Sequence, residues 1–263
     1  MTIKEKRKTD ISVIKVCCIC VGVCLLLVAG YKLFIETSDY TKAQNLYKKA
    51  NTIYVFNEYN TETEVVSEDI KWEGFTDVDI AGLRMENEDI VGWIYFENED
   101  ISYPILYSGD NTTYMQITYT GKSARAGSIF MDEDNSTDFS DAHTIIYGHN
   151  MKDLSMFGRL KYYKLDEDYI DGHEYFQIIT ENKKYRYKIV SYKEVEGNSP
   201  VYAIYKTGDD DFVSFVKNIL LKGNYINNSD TIKASDHLIT LSTCSKDKRF
   251  IVSAVRCDEC IIY

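Results

Sequence analysis

Three regimes of apolar and polar spacing divide the chain. The first is a continuous apolar run: Val16 to Tyr31 carries no charge and is extended by Ile11 to Lys15 before it and Lys32 to Ile35 after it. At about 1.5 Å per residue, a helix over 11–35 crosses a hydrocarbon core of roughly 30 Å, with the edge lysines snorkelling to the headgroups. The second regime has helical spacing. Ser38 and Asp39 offer N-caps for a stripe of Ala43, Leu46, Tyr47, Ala50 and Ile53 or Tyr54. A further helix is expected to start at Thr76 or Asp77 and to carry Ile80, Leu83 and Arg84 before Asn87, after the acidic stretch Asn57 to Asp69. Residues 36–85 therefore read as an N-terminal helical appendage.

The third regime is a series of short strand-like runs: Ile90 to Phe96, Ile101 to Tyr107, Gly127 to Met131, His143 to Tyr147, Tyr175 to Thr180 and Tyr185 to Tyr192. Acidic or glycine-containing turns separate them, which favours an antiparallel sheet closed into a barrel over a parallel α/β sheet. One helix interrupts the series. Asp209 to Asp211 precede Phe212, Val213, Phe215, Val216, Ile219 and Leu220, and Gly223 supplies a stop. Two final strands are expected at His237 to Ser242 and Phe250 to Val255. The fold class is mainly β, with a barrel domain over 86–263 and a basic tail over 1–10.

Charge gives the chain a direction. Lys4, Lys6, Arg7 and Lys8 precede the apolar run, and the positive-inside rule keeps them in the cytoplasm, so the barrel is exported from a single-pass cell-membrane anchor. The alternative is a cleaved signal peptide, for which the basic start and Ala29-Gly30 are suitable. A lipoprotein signal fits less well, because Val23 stands where a small residue should precede Cys24. Beyond residue 35 the chain holds 24 basic against 39 acidic side chains, a charge near −15. Such a surface repels nucleic acid and suits solubility or basic partners.

The seven cysteines lie at the two ends: Cys17, Cys18, Cys20 and Cys24 in the apolar run, and Cys244, Cys257 and Cys260 near the C-terminus. A disulfide-stapled scaffold would spread them through the fold. The first four read as small apolar residues first and acylation sites second. Cys257 and Cys260 read as incidental thiols of a mobile tail, with an intratail disulfide or half of a metal site as alternatives. Cys244 stands apart, at the end of the strand-like run Thr240-Leu241-Ser242-Thr243-Cys244. An unperturbed thiol with a pKa of about 8.5 is roughly 3% thiolate at neutral pH, and a neighbouring cation raises that fraction. Arg249 opens the next strand after a short turn from Ser245 to Lys248, which places it near the sulfur. Arg256 competes for the same role but lies roughly 23 Å further along a strand. Of the four histidines, His149 follows a strand and a glycine and so sits at a rim. His143 opens that strand, and His173 and His237 read as surface or pairing residues.

These motifs carry a resemblance. Thr240-Leu241-Ser242-Thr243-Cys244 resembles the nucleophile motif of sortases, the membrane-anchored cysteine transpeptidases of Gram-positive bacteria. Ile145-Ile146-Tyr147-Gly148-His149-Asn150-Met151 resembles their histidine motif, and Arg249-Phe250-Ile251-Val252 their arginine-led final strand. Val91-Gly92-Trp93-Ile94, Tyr103-Pro104-Ile105, Gly127 to Asp132 and Met156 to Leu160 extend the match over most of 86–256. The N-terminal helices and the helix near 209–222 are most like class B. The turn between Cys244 and Arg249 is shorter than many members show. The resemblance implies an eight-stranded barrel, with Cys244 as nucleophile, His149 as general acid and Arg249 as stabiliser of substrate and oxyanion. Ser242 and Thr243 would either shape the signal pocket or serve structure alone. It implies no cofactor and no metal. Its partners would be surface proteins with a C-terminal sorting signal cleaved after Thr, and a peptidoglycan-precursor amine or a pilin lysine as acceptor. Hydrolysis by a cysteine peptidase and a non-catalytic, membrane-tethered binding barrel are the rival functions.

Overall fold

A computed structural model describes residues 3–56, 74–222, 225–226, 232–245 and 247–262. The β-branched and aromatic runs form eight strands: β1 (Ile90–Phe96), β2 (Ser102–Leu106), β3 (Ile129–Met131), β4 (His143–Tyr147), β5 (Tyr175–Ile179), β6 (Lys183–Val195), β7 (Leu238–Ser245) and β8 (Lys248–Ile261). They pair in the order β8-β7-β4-β3-β2-β1-β5-β6, and β6 pairs again with β8, closing the expected eight-stranded barrel. A two-residue strand at Tyr225–Ile226 adds to β6 at Ser191 and Tyr192.

The sheet is not wholly antiparallel, as the pattern had suggested. β4 runs parallel to β7, and β2 parallel to β3. A parallel pair needs a long connection to return the chain to the same end. Here 107–128 lead into β3, and the segment carrying the late helix leads into β7.

That helix, α3 (Asp210–Phe215), continues as a π-helical turn at Val216–Leu220. Asp209, the first of the three acidic residues, caps it, its carboxylate accepting from the Phe212 N–H at 2.8 Å. The expected stop at Gly223 lies outside the described residues, as does the acidic stretch Asn57 to Asp69. The helix buries Phe212, Phe215, Val216 and Leu220 against Val190, Val195, Leu238 and Ile251. β7 is consequently buried on both faces: Leu238 packs under the helix, while the alternate residues Ile239 and Leu241 face the barrel interior. Truncating fully buried Phe212 to Ala would cost about 3–5 kcal/mol.

The N-terminal region departs from expectation in two respects. No helix begins at Ser38 or Asp39, because a single helix, α1, runs from Ile3 to Tyr54. Neither glycine nor proline stands between Tyr31 and Ala43, and the Thr41 hydroxyl turns inward on the backbone, donating to the Thr37 carbonyl at 2.9 Å. Residues 1–42 and 43–263 form two compact units. In the first, Ile19, Leu25, Leu26, Leu27 and Phe34 are exposed, and the helix is long and apolar enough to cross a membrane. In the second, Ala43, Tyr47 and Ala50 are buried, and the Tyr47 hydroxyl donates to the Gly127 carbonyl at 2.6 Å. Helix α2 (Ile80–Glu86) starts three residues later than Asp77, because Asp77 and Val78 pair with Val55 and Phe56, leaving Asp79 as the cap.

The C-terminus requires a correction. Cys257 and Cys260 do not lie in a mobile tail: β8 continues to Ile261, and its last residues pair with β6 from Asp258↔Arg186 to Ile261↔Lys183 past a bulge between Arg256 and Asp258. β6 begins at Lys183, so a partner strand is available where the polar Cys-Asp-Glu-Cys run gave no strand signal. Both cysteines are exposed free thiols.

His143 is fully buried beneath α3, its ring centroid 5.4 Å from that of Phe215. Its Nδ1–H donates to the Ala203 carbonyl at 2.7 Å, and its Nε2 accepts from the Thr240 hydroxyl at 2.8 Å, which in turn lies 3.1 Å from the Ser253 hydroxyl. Burial holds its pKa down to about 4, against an ordinary 6.5. The folded state therefore excludes a proton that the unfolded chain accepts below pH 6.5. This contribution is complete above pH 6.5 and is lost as pH falls toward 4. Between pH 7 and pH 5 the full chain in detergent should lose about 2 kcal/mol through this group. Denaturant unfolding at both pH values should show that difference reduced in His143→Gln; an equal loss in the variant would refute the assignment.

Candidate active site

The parallel register of β4 and β7 brings two distant segments to one rim. Ser242 pairs with Tyr147, and one step further the Gly148 N–H donates to the Ser242 carbonyl at 3.1 Å. His149 lies on the segment that leaves β4 here, and Cys244 lies at the end of β7 itself. The hairpin between β7 and β8 is tight, pairing Ser245 with Lys248 and setting Arg249 directly opposite Cys244 in the backbone ladder. Arg249 also pairs with Val195 of β6. Three residues from separate motifs thus meet at one end of the barrel through backbone hydrogen bonding alone.

Gly148 is required by space. A Cβ there would lie 2.4 Å from the Ile129 side chain and 2.6 Å from the Phe157 ring. The following loop folds back so that the Phe157 N–H donates to the His149 carbonyl at 3.0 Å. The half-buried His149 ring has its Nε2 2.6 Å from the Met115 carbonyl. His173 and His237 bond to the backbone carbonyls of Tyr169 and Asp141, and His143 is enclosed, so none of these three joins the rim.

The two arginines separate clearly. Arg256 stacks 3.9 Å over the Tyr185 ring and donates to the Phe139 carbonyl at 2.8 Å, so its guanidinium braces the far part of β8. Arg249 lines a cleft of about 310 Å³ together with His149, Ser242 and Thr243. The remaining wall is formed by Asn111, Met115, Phe130, Tyr147 and Tyr202 with Gly148 and Gly197. Asp132, largely buried behind it, accepts from the Tyr147 hydroxyl at 2.8 Å and from Asn111 Nδ2 at 3.1 Å. Burial first, and then the bond to Asp132, push the Tyr147 phenol well above its ordinary pKa, while the Arg249 charge pulls the other way. Tyr147 therefore remains a neutral donor between a buried anion and a cation.

Ser242 and Thr243 differ. The Ser242 hydroxyl is satisfied by the Tyr202 hydroxyl at 2.9 Å, whereas the buried Thr243 hydroxyl has no hydrogen-bond partner among the described residues. Asn111, Met115 and Tyr202 were not read from sequence as site residues. The only signals were a turn pattern at Ser108 to Asn111 and Pro200 shortly before Tyr202, and neither points to a particular rim. Among the described residues no cluster of three or more His, Cys, Asp and Glu is arranged to hold a metal ion.

A family model for the Sortase domain matches residues 94–257. Over 238 residues the chain is 33% identical to Sortase B of Listeria monocytogenes, spanning 86% of this chain and 87% of that protein. The crystal structure of sortase B from Bacillus anthracis superposes with a TM-score of 0.69 at 32% identity, covering 84% of this chain and 98% of that one. A substrate complex of Staphylococcus aureus sortase B superposes with a TM-score of 0.62 at 28% identity, covering 68% and 84%.

The contacts at Gly148 give a direct test of how the rim is held. Gly148→Ala should lower stability by about 1–3 kcal/mol through overpacking and should shift the His149 ring resonances. Denaturant unfolding and NMR would measure both, and unchanged ring signals would mean that the loop is positioned by something else.

Proposed function

The chain belongs to the sortase family, among the class B members, and is a cysteine transpeptidase; on that premise we propose how its own residues act and on what. The substrate is a surface protein with a C-terminal sorting signal. Cys244 attacks the carbonyl carbon of a threonine in that signal, forming a thioester as the following peptide C–N bond breaks. The departing amine takes its proton from protonated His149. Arg249 stabilises the oxyanion of the tetrahedral intermediate and holds the substrate backbone. An amine of a peptidoglycan precursor or a pilin lysine then attacks the thioester, forming an amide and returning the thiol. The observation that carries this reading is the meeting of positions 149, 244 and 249 at one rim by strand register, beside a cleft lined by His149 and Arg249.

The apolar helix within residues 1–42 supports a membrane anchor. With Lys4, Lys6, Arg7 and Lys8 held in the cytoplasm, the barrel faces outward, where both sorting signal and cell-wall amine are found. Thr243 belongs to the signal site on this reading, since it lines the cleft and its hydroxyl has no hydrogen-bond partner among the described residues.

The chain in detergent, incubated with a sorting-signal peptide and a peptidoglycan-stem amine, should yield a product containing that amine. Cys244→Ala should abolish the product, and cleavage unchanged by that substitution would overturn the nucleophile assignment. Products lacking the amine throughout would replace transpeptidation by hydrolysis. Thr243→Val removes a buried unpaired hydroxyl at nearly constant shape, so its stability should hold or rise by about 1 kcal/mol. The peptide KM should rise several-fold; an unchanged KM would make Thr243 purely structural.

A further inference from the structure

The bond between His149 Nε2 and the Met115 carbonyl determines more than the position of the ring. A carbonyl has no hydrogen to give, so at 2.6 Å Nε2 must be the donor and must carry its proton in both the neutral and the charged imidazole. The proton that comes and goes is then the one on Nδ1. Whatever fixes the Met115 carbonyl therefore selects the working nitrogen of His149.

Met115 ends a single 3-10 turn, Thr113–Met115. At the start of this loop Asp110 Oδ1 accepts from the Thr112 N–H, the Thr113 N–H and the Thr112 hydroxyl, each at 2.7 Å, and Oδ2 accepts from the Thr113 hydroxyl at 2.7 Å. These bonds, the two threonine hydroxyls foremost, hold the Asp110 carboxyl far below the usual carboxylate range, so the tie persists in acid. At the other end the Tyr114 hydroxyl donates to Asp89 at 2.6 Å, and the Ser128 N–H donates to the Tyr114 carbonyl at 3.0 Å. Behind the turn stands Gly127, with φ +55°, where a Cβ would lie only 2.5 Å from the Met115 carbonyl oxygen. That oxygen is confined between a glycine chosen for space and the ring of His149. Asp110 is not among the residues lining the cleft, so it acts only through the loop.

We infer that Asp110 is a positioning residue for His149: it ties down the 110–115 loop so that the Met115 carbonyl holds Nε2–H and leaves Nδ1 to exchange the proton with the substrate. This rests on His149 being the proton donor of the proposed function. The test uses the full chain in detergent with ring-15N histidine, reading the His149 tautomer by NMR and turnover of a sorting-signal peptide in parallel. The parent chain should show protonated Nε2 and bare Nδ1 in neutral His149. Asp110→Ala and Gly127→Ala should mix the tautomers, and Asp110→Ala should lower kcat on the order of tenfold with KM changed less than about twofold. Asp110→Asn keeps an oxygen in the Oδ1 place and should restore both readouts most of the way. A parent tautomer and kcat in Asp110→Ala would overturn the inference, as would a rise in KM alone or an equal loss in Asp110→Asn. Should His149→Ala retain turnover, the proton-donor reading fails, whereas the tautomer comparison still decides whether Asp110 positions the ring.

Discussion

The parallel pairing of β4 with β7 is the constraint on which the rest of the site depends. In an antiparallel pair, the ends of these strands would point to opposite rims, and the segment carrying His149 and the end of β7 carrying Cys244 would lie at opposite ends of the barrel. The parallel ladder from Leu238↔His143 to Ser242↔Tyr147 sends both chains out at the same end, at matched height. Everything else at the rim follows from that. The tight β7–β8 hairpin returns the chain within two ladder steps, so Arg249 faces Cys244. The long connection that a parallel pair demands contains α3, which covers the outer face of β7 and encloses His143.

The polar groups of this region are graded by their access to water. Deep under α3, the Ser253, Thr240, His143 and Ala203 groups form a closed chain of hydrogen bonds in which the imidazole is kept neutral. Nearer the surface, Asp132 accepts from Tyr147 and Asn111 of the cleft wall and from the Asp134 N–H of its own turn. At the mouth, Arg249 and His149 remain partly open. One histidine of the Ile145 to Met151 neighbourhood is thereby structural and the other available, although they stand six positions apart in sequence. Burial, and not residue type, separates their roles.

Much of the barrel was legible because strand alternation and turn chemistry are local. β1 and β4 were read with bounds that match the structure, and the facing of Cys244 and Arg249 in the ladder followed from a short turn between two strand-like runs. What could not be read depends on partners far away in the chain. No local pattern says that β2 and β3 run parallel, that Tyr202 reaches the Ser242 hydroxyl, or that the Met115 backbone oxygen meets His149. The polar residues Asp258 and Glu259 concealed the end of β8, because a paired strand needs only a neighbour's backbone, and β6 supplies it. The expected break at Ser38 failed for the opposite reason: cap-forming residues are tolerated inside a helix when nothing forces the chain to turn.

A closed barrel spends its backbone donors and acceptors on itself. An extended polypeptide meeting this rim finds most strand edges already paired within the ring, so side chains and loop backbone form much of what it meets. On the proposed function, discrimination between ligands falls to cleft-wall residues such as Asn111, Tyr202 and Thr243. Their contribution to the wall is made by side chains, whereas the ladder that places Cys244 and Arg249 is made by main-chain groups. The architecture thus assigns placement and recognition to different atoms of the same chain.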